Sequence, residues 1–327
     1  MFLNIFWLIA GLVLILVGAN MLTDGASAIS RRMGISDLIV GLTVVAFGTS
    51  APELVISVLS ATEGSAEMAV GNVVGSNIFN ILVIIGLTAC IHPIKIDKGV
   101  MINEIPMVIL AAVIMIVLGN SAWLSGGGIN EISRVNAIFL LIFGLLFLRY
   151  TIGSAKKTAK PELDPTAKSV ADKGEMPIWK ALLWFIIGLA GLIFGGDKFV
   201  DGASGVASAL GVSDAVIGLT IVAVGTSLPE LATSIVASAK GESGLAVGNV
   251  IGSNIFNVLF VLGITGTVMP LGFGGIGNVD LMVLLGASVM FWVFGWFFKE
   301  RTITRWEGAL LFLGYIAYMI YLLTVKA

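Results

Sequence analysis

The chain has 327 residues, of which 57% are hydrophobic and 12% charged, with a formal net charge of −2 and a mean hydropathy of +1.05. Soluble proteins carry about a quarter charged residues, so water-soluble domains are excluded although the length would allow them, and continuous apolar runs exclude an alternating β-barrel. A single cysteine, Cys90, excludes intrachain disulfides and cysteine-rich metal sites, which leaves an all-α, polytopic membrane protein.

With about 20 apolar residues per span, ten helices are expected near 4–23, 37–61, 67–91, 102–119, 131–150, 178–197, 214–238, 244–269, 278–298 and 304–325. No basic segment precedes the first run, so it reads as a retained span and not a cleaved signal. Basic residues gather in the odd-numbered gaps: Arg31 and Arg32 in the first, Lys95 and Lys98 in the third, and Arg149 through Lys173 around the fifth. Lys240 follows in the seventh, and Lys299, Arg301 and Arg305 flank the ninth. By the positive-inside rule the odd gaps face the cytoplasm. The expected location is the cell's inner (plasma) membrane, with multiple passes and both termini outside the cytoplasm.

The chain repeats itself. GLTVVAFGTSAPEL at 41–54 returns as GLTIVAVGTSLPEL at 218–231, and GNVVGSNIFN at 71–80 returns as GNVIGSNIFN at 248–257. Every repeated residue lies 177 positions from its partner, and the register reaches upstream from Asp24–Ser27 to Asp201–Ser204. Each half holds five spans, an odd number, so equivalent segments cross the membrane in opposite directions. The expected architecture is therefore ten transmembrane helices as two inverted five-helix repeats. Residues 1–150 form the first repeat, 151–177 a polar cytoplasmic linker, and 178–327 the second repeat. Such repeats in so apolar a chain point to a transporter with its substrate site between the halves.

The second and seventh spans carry the chemistry. Glu53 and Glu230 stand inside apolar segments, where an ionised carboxylate costs about 3 kcal/mol or more unless a cation or partner meets it. Each follows a proline, Pro52 or Pro229, which removes a helical N–H and clashes with the carbonyl four residues back. Carbonyls around Ala46–Thr49 and Ala223–Thr226 are thereby freed. The expected ligand set is two carboxylates, these carbonyls, and the hydroxyls of Thr49, Ser50, Thr226 and Ser227. Ca²⁺ takes six to eight oxygens in irregular geometry, whereas zinc or copper would call for a His or Cys cluster the chain lacks. A protonated glutamate or a structural ion pair is the competing reading; against the ion pair, span interiors offer no basic partner.

In the third and eighth spans, Ser76 and Asn80 are four residues apart and share a helical face, as do Ser253 and Asn257. They are expected to line the site, with Asn72 continuing the face one turn earlier. Asn77 and Asn254 point elsewhere, and packing or capping accounts for them. Asp24 and Asp201 read as capping or interfacial groups, Glu104 and His92 as interfacial, and Trp123, Trp179 and Trp306 as parts of an aromatic belt.

The four motif blocks, in order and in register, resemble the α-repeats of the calcium/cation antiporter superfamily, and within it the prokaryotic sodium/calcium exchangers. The resemblance implies that Glu53 and Glu230 are shared Na⁺ and Ca²⁺ ligands. Thr49, Ser50, Thr226, Ser227, the carbonyls of Ala46 and Ala223, and Ser76, Asn80 and Ser253 would complete the sites. Some members carry Asp where this chain has Asn257. An amide in both halves bears on the number of Na⁺ ions carried and speaks against K⁺ co-transport, which the resemblance links to that aspartate.

The implied activity is secondary active antiport by alternating access, with Na⁺ entry driving Ca²⁺ out. The glycines Gly11, Gly18, Gly191 and Gly195 would let the first and sixth spans slide. The expected partners are Ca²⁺, Na⁺ and the lipid bilayer; no enzyme activity, cofactor, nucleic acid or obligatory protein partner is implied. An H⁺/Ca²⁺ or other divalent-cation exchanger, with a glutamate titrating, stays open, as does a cation channel with the carboxylates as a selectivity ring.

Overall fold

A computed structural model describes residues 1–158, 176–210 and 223–326. The protein is an all-α, polytopic membrane protein. Among the described residues nine helices are long and apolar enough to cross a membrane. They are α1 (Phe2–Met33), α2 (Asp37–Thr62), α3 (Ala66–Ile91), α4 (Lys98–Gly119), α5 (Arg134–Thr158), α6 (Ile178–Ala209), α8 (Ser243–Val268), α9 (Asn278–Phe297) and α10 (Arg305–Tyr321). Between α6 and α8 lies α7 (Leu228–Ala239). The first part of the expected seventh span, at 214–222, and most of the expected linker, at 159–175, lie outside the described residues.

Helices α1 and α6 are each 32 residues long, or about 48 Å at 1.5 Å per residue. The hydrocarbon layer is about 30 Å thick, so both extend past the spans expected at 4–23 and 178–197. Asp24 and Asp201 therefore stand within continuous helix and cap nothing. Asp24 accepts from Lys240 Nζ at 2.7 Å, and Asp201 from Lys198 Nζ at 2.7 Å. α1 stops at Gly34, whose φ of 65° lies in the left-handed region that glycine enters without penalty.

The chain packs as two compact units, Met1–Gly48 with Phe147–Asn249, and Thr49–Leu146 with Val250–Ala327. Each unit draws elements from both halves of the sequence. In the first unit α1 and α6 run antiparallel along a seam of glycines. Gly11 meets α6 at Gly195 and Phe199, Gly18 at Gly188 and Leu192, and Gly25 at Ala181 and Phe185. A Cβ on Gly18 would lie 2.8 Å from the Gly188 carbonyl oxygen, and one on Gly188 would lie 2.4 Å from the Leu22 nitrogen. Only glycine permits this backbone contact, which maximises dispersion where lipid offers no hydrophobic drive. Leu22, Ala26, Val40, Leu192, Leu245 and Ala246 belong to the buried core of this unit. The same unit joins the first gap to later ones: Arg32 Nε donates to the Met176 carbonyl at 3.1 Å, and Arg31 approaches Glu242 at 3.8 Å.

In the second unit α9 packs on α4, and α10 on the end of α3. Two short antiparallel ribbons tie the loops together. β1 (Ile94–Lys95) pairs with β4 (Thr302–Ile303), joining the third gap to the ninth. β2 (Glu131–Ile132) pairs with β3 (Leu271–Gly272), joining the end of the fourth gap to the eighth. Two buried carboxylates outside the motifs have structural roles. Asp280 accepts from the Gly277 N–H at 2.8 Å and from the Tyr318 hydroxyl at 2.9 Å, and Glu307 accepts from the Thr304 N–H.

Candidate cation-binding site

Helix α2 changes character along its length. Gly41–Val45 form a π turn, Ala46–Thr49 return to α geometry, and Ser50 interrupts at φ −82°, ψ 5° before Ala51–Thr62 resume. The cause is local, since Pro52 has no N–H for the Gly48 carbonyl, yet it suits the first turn of a new helical segment. The second repeat does the same. A short turn at Ala223–Gly225 ends, Ser227 sits at φ −90°, ψ 5°, and α7 begins with Pro229 as its second residue. Glu53 and Glu230 are thus each the third residue of a helical segment. There the N–H groups of the first turn lack helical partners and favour negative charge. Both glutamates are 1% exposed.

Each glutamate backbone is held from the side by an asparagine. In the second unit Asn72 Nδ2 donates to the Glu53 carbonyl at 3.3 Å and to Ser57 Oγ at 3.2 Å. In the first unit Asn249 Nδ2 donates to the Glu230 carbonyl at 3.4 Å and to Ser234 Oγ at 3.2 Å. The Asn72 amide, grouped by spacing with the Ser76/Asn80 face, is therefore spent on anchoring α2. Ser57 and Ser234 escaped the sequence reading. Their signal is the repeat itself, because a serine stands four residues after each motif glutamate.

The expected ligands fall into two groups. Thr49, Ser50, Glu53, Ser76, Asn80, Ser253 and Asn257 belong to the second unit, and Ala46, Ala223, Thr226, Ser227 and Glu230 to the first. Within the second unit the Glu53 segment packs against α3 and against the π turn that Asn257 opens. Thr49, Ser50, Ser76, Asn80, Ser253 and Asn257 are all buried. The side-chain oxygens of Ser76, Asn80 and Asn257 are buried without a hydrogen-bond partner among the described residues. Within the first unit Ser227 is buried beside Glu230, and Thr226 Oγ1 likewise has no partner among the described residues. Ala223 opens the short turn before the break.

Among the described residues no group of three or more His, Cys, Asp or Glu side chains is placed to hold a metal ion. A cation held by these glutamates would draw most of its donors from hydroxyls, amides and backbone carbonyls, all hard oxygens of the kind that Ca²⁺ and Na⁺ accept. Asn77 and Asn254, assigned by spacing to packing, meet across the two copies of the motif: Asn77 Nδ2 donates to the Asn254 carbonyl at 3.0 Å.

One further charged cluster lies outside the spans. Glu242, on the turn between α7 and α8, has its carboxyl pushed up to about 7 by burial and then by the negative charge of Asp37 and Asp24, against which Arg31 and Lys240 pull. Ser30 donates its hydroxyl to Asp37 in the same unit.

Comparison with known proteins agrees with the motif reading. The profile of the family described as "Sodium/calcium exchanger protein" matches residues 3–153 and 180–324. The chain is 39% identical to the putative antiporter CaxA of Alkalimonas amylolytica over 95% of this chain and 96% of that relative. It is 29% identical to the sodium/calcium exchanger MaX1 of Methanosarcina acetivorans over 98% of both. A solved structure of the sodium-calcium exchanger NCX_Mj, soaked in Na⁺ without Ca²⁺, superposes with a TM-score of 0.82 at 33% identity, covering 99% of each chain.

Proposed function

This chain belongs to the sodium/calcium exchanger family, a family of cation antiporters and not of enzymes, and on that premise we propose that it exchanges Na⁺ for Ca²⁺ by alternating access. The observation that carries the reading is the duplicated frame. Glu53 and Glu230 each stand buried in the first turn of a helix restarted by proline, each with an asparagine amide on its carbonyl. The repeated Asp24 and Asp201 are partly exposed and paired with Lys240 and Lys198, whereas Glu53 and Glu230 are buried, as expected of a transporter in which each repeat supplies one carboxylate to the ion.

The proposed ligands are Glu53, Glu230, Thr49, Ser50, Thr226, Ser227, Ser76, Asn80, Ser253, Asn257 and the carbonyls of Ala46 and Ala223. The same two carboxylates serve either one Ca²⁺ or Na⁺ ions, so the two loads exclude each other. Emptied, they would leave two uncompensated charges inside the membrane, a state costly enough to hinder the crossing of an unloaded carrier. That disfavours leak and enforces exchange. The inward Na⁺ gradient then drives Ca²⁺ out of the cytoplasm.

The proposed organisation is two inverted repeats, 1–150 and 178–327, joined by a cytoplasmic linker at 151–177, in the plasma membrane with both termini outside. Support comes from the parity of the gaps that meet. Within the first unit the first gap touches the fifth and seventh, and within the second unit the third pairs with the ninth and the fourth with the eighth. Odd gaps meet odd and even gaps meet even, as ten crossings require. The antiparallel course of α1 and α6 is the direction an inverted repeat demands of equivalent helices.

The test is ⁴⁵Ca²⁺ uptake into proteoliposomes loaded with Na⁺ and diluted into Na⁺-free buffer. Uptake that requires internal Na⁺, and is missing in K⁺-loaded vesicles, is the expected result. Uptake driven by a pH gradient alone would move the protein to proton-coupled exchange. Flux far above carrier turnover would make it a channel.

A further inference from the structure

Four buried asparagines of the second unit form a crossed set. Asn80 and Asn257 each open a π turn, Asn80–Ile85 and Asn257–Val261. Asn80 Nδ2 donates to Asn254 Oδ1 at 3.1 Å, and Asn257 Nδ2 donates to Asn77 Oδ1 at 3.1 Å. The amide of each repeat is thus held by the other repeat's preceding asparagine. Asn77, 2% exposed, is itself fixed by its bond to the Asn254 carbonyl at 3.0 Å.

The consequence lies in the other end of each held amide. Oδ1 of Asn80 and Oδ1 of Asn257 are buried with no hydrogen-bond partner among the described residues. A buried amide oxygen left unsatisfied costs free energy that ordinary packing gives no reason to bear. A primary amide is nearly symmetric in shape but opposite in charge at its two ends. Turned one way it offers a cation an oxygen ligand; turned the other way it offers a repelling NH₂. Something must select the orientation, and an acceptor placed against the nitrogen does so. Asn77 is held there by its own Nδ2, whereas Asn254 Nδ2 has no partner among the described residues and Asn254 serves through its backbone and side-chain oxygens.

We propose that Asn77 and Asn254 are positioning residues for the transported cation: by accepting from the Nδ2 of Asn257 and Asn80 respectively, they lock each amide with its oxygen towards the ion. The inference rests on the reading of Asn80 and Asn257 as ligands. It gives the repeated Ser-Asn-x-x-Asn spacing two distinct tasks, the second asparagine to bind and the first, from the opposite repeat, to orient. The π turns follow at the binding asparagines, where the ladder is already irregular and side-chain direction depends most on such a hold.

The test is a pair of double-mutant cycles on the purified full chain in detergent, read as the Kd for Ca²⁺ by isothermal titration calorimetry, with melting temperature as the folding control. Wild-type binding and its loss in Glu53→Gln come first; failure there sinks the proposed function itself, before any asparagine is altered. Given that binding, Asn77→Ala and Asn257→Ala should each weaken Kd by about tenfold, the scale of one lost ligand hydrogen bond or contact. The double variant should be no weaker than the worse single within about threefold, because one residue acts through the other. Asn254→Ala should couple in the same way to Asn80→Ala. The uncrossed pair Asn77→Ala with Asn80→Ala should instead multiply to about a hundredfold.

Unchanged Kd in folded Asn77→Ala and Asn254→Ala, or multiplication within the crossed pairs, would overturn the proposal. If the alanine variants do not fold, Asn77→Leu and Asn254→Leu, which keep the volume but accept nothing through the side chain, replace them in the cycles. If neither leucine variant folds while Asn80→Ala and Asn257→Ala do, the two asparagines carry the fold and not the site, which also overturns it.

Discussion

Asn72 gives its side-chain amide to the backbone carbonyl of Glu53 at 3.3 Å, and in doing so holds the segment that carries a buried carboxylate. The equivalent pair, Asn249 and Glu230, has the same contact at 3.4 Å. Anchoring through the backbone carbonyl suits the role proposed for these glutamates, which gain and lose an ion in each cycle.

The two anchors differ in burial, Asn249 being 0% exposed and Asn72 only half-buried. Replacement by alanine should therefore cost more at Asn249, about 1–3 kcal/mol, than at Asn72, about 0.5–1.5 kcal/mol. Thermal melting of the purified variants reads the difference. Equal losses would show that water does not replace the Asn72 bonds.

The glycine seam makes a prediction by position. A Cβ at Gly188 would meet the Leu22 nitrogen at 2.4 Å, whereas one at Gly191 would lie 3.5 Å from the Gly18 Cα, an ordinary contact. Gly188→Ala should push α1 from α6 and lower the melting temperature by several degrees, on the scale of an overpacked core at about 1–3 kcal/mol. Gly191→Ala should stay close to wild type. A fluorescence-detected melting comparison of the two variants is sufficient, and equal behaviour would contradict the close approach.

Glu242 gives the pH dependence. Its folded pKa of about 7 lies above the ordinary 4.5 because burial and the nearby Asp37 and Asp24 disfavour its charge. A raised carboxyl pKa means that the folded protein binds the proton more tightly than the unfolded chain does. Relative stability from this group is complete below pH 4.5 and is lost as pH rises through 7. Glu242→Gln should remove that component, so the melting temperatures of variant and wild type should converge at low pH and separate, with the variant higher, above pH 7. A separation that does not change between pH 5 and 8 would show that Glu242 is not protonated in the folded protein.

The sequence carried these features unequally. Glu53 and Glu230 were legible because a carboxylate after proline in an apolar run breaks local rules twice, at the same 177-residue offset. The helix interruption at Ser50 followed from Pro52 alone. The lengths of α1 and α6 were not legible, because the polar Asp24 and Asp201 look like span ends while the backbone continues through them. Their partners, Lys240 and Lys198, are set by tertiary placement in one case and by a helical turn in the other. The asparagine cross was half legible: spacing separated Asn77 from Asn80, but only packing shows that each repeat's second asparagine donates to the first asparagine of the other.

The central claim is that Glu53 and Glu230 bind Na⁺ and Ca²⁺ in turn. The measurement that tests it most directly is equilibrium ⁴⁵Ca²⁺ binding to the purified protein, titrated with Na⁺, for wild type, Glu53→Gln and Glu230→Gln. The account predicts that Na⁺ displaces Ca²⁺ competitively from wild type, and that each variant loses Ca²⁺ binding while keeping its melting behaviour in the absence of ions. Calcium binding retained in both variants, or binding insensitive to Na⁺, would contradict it.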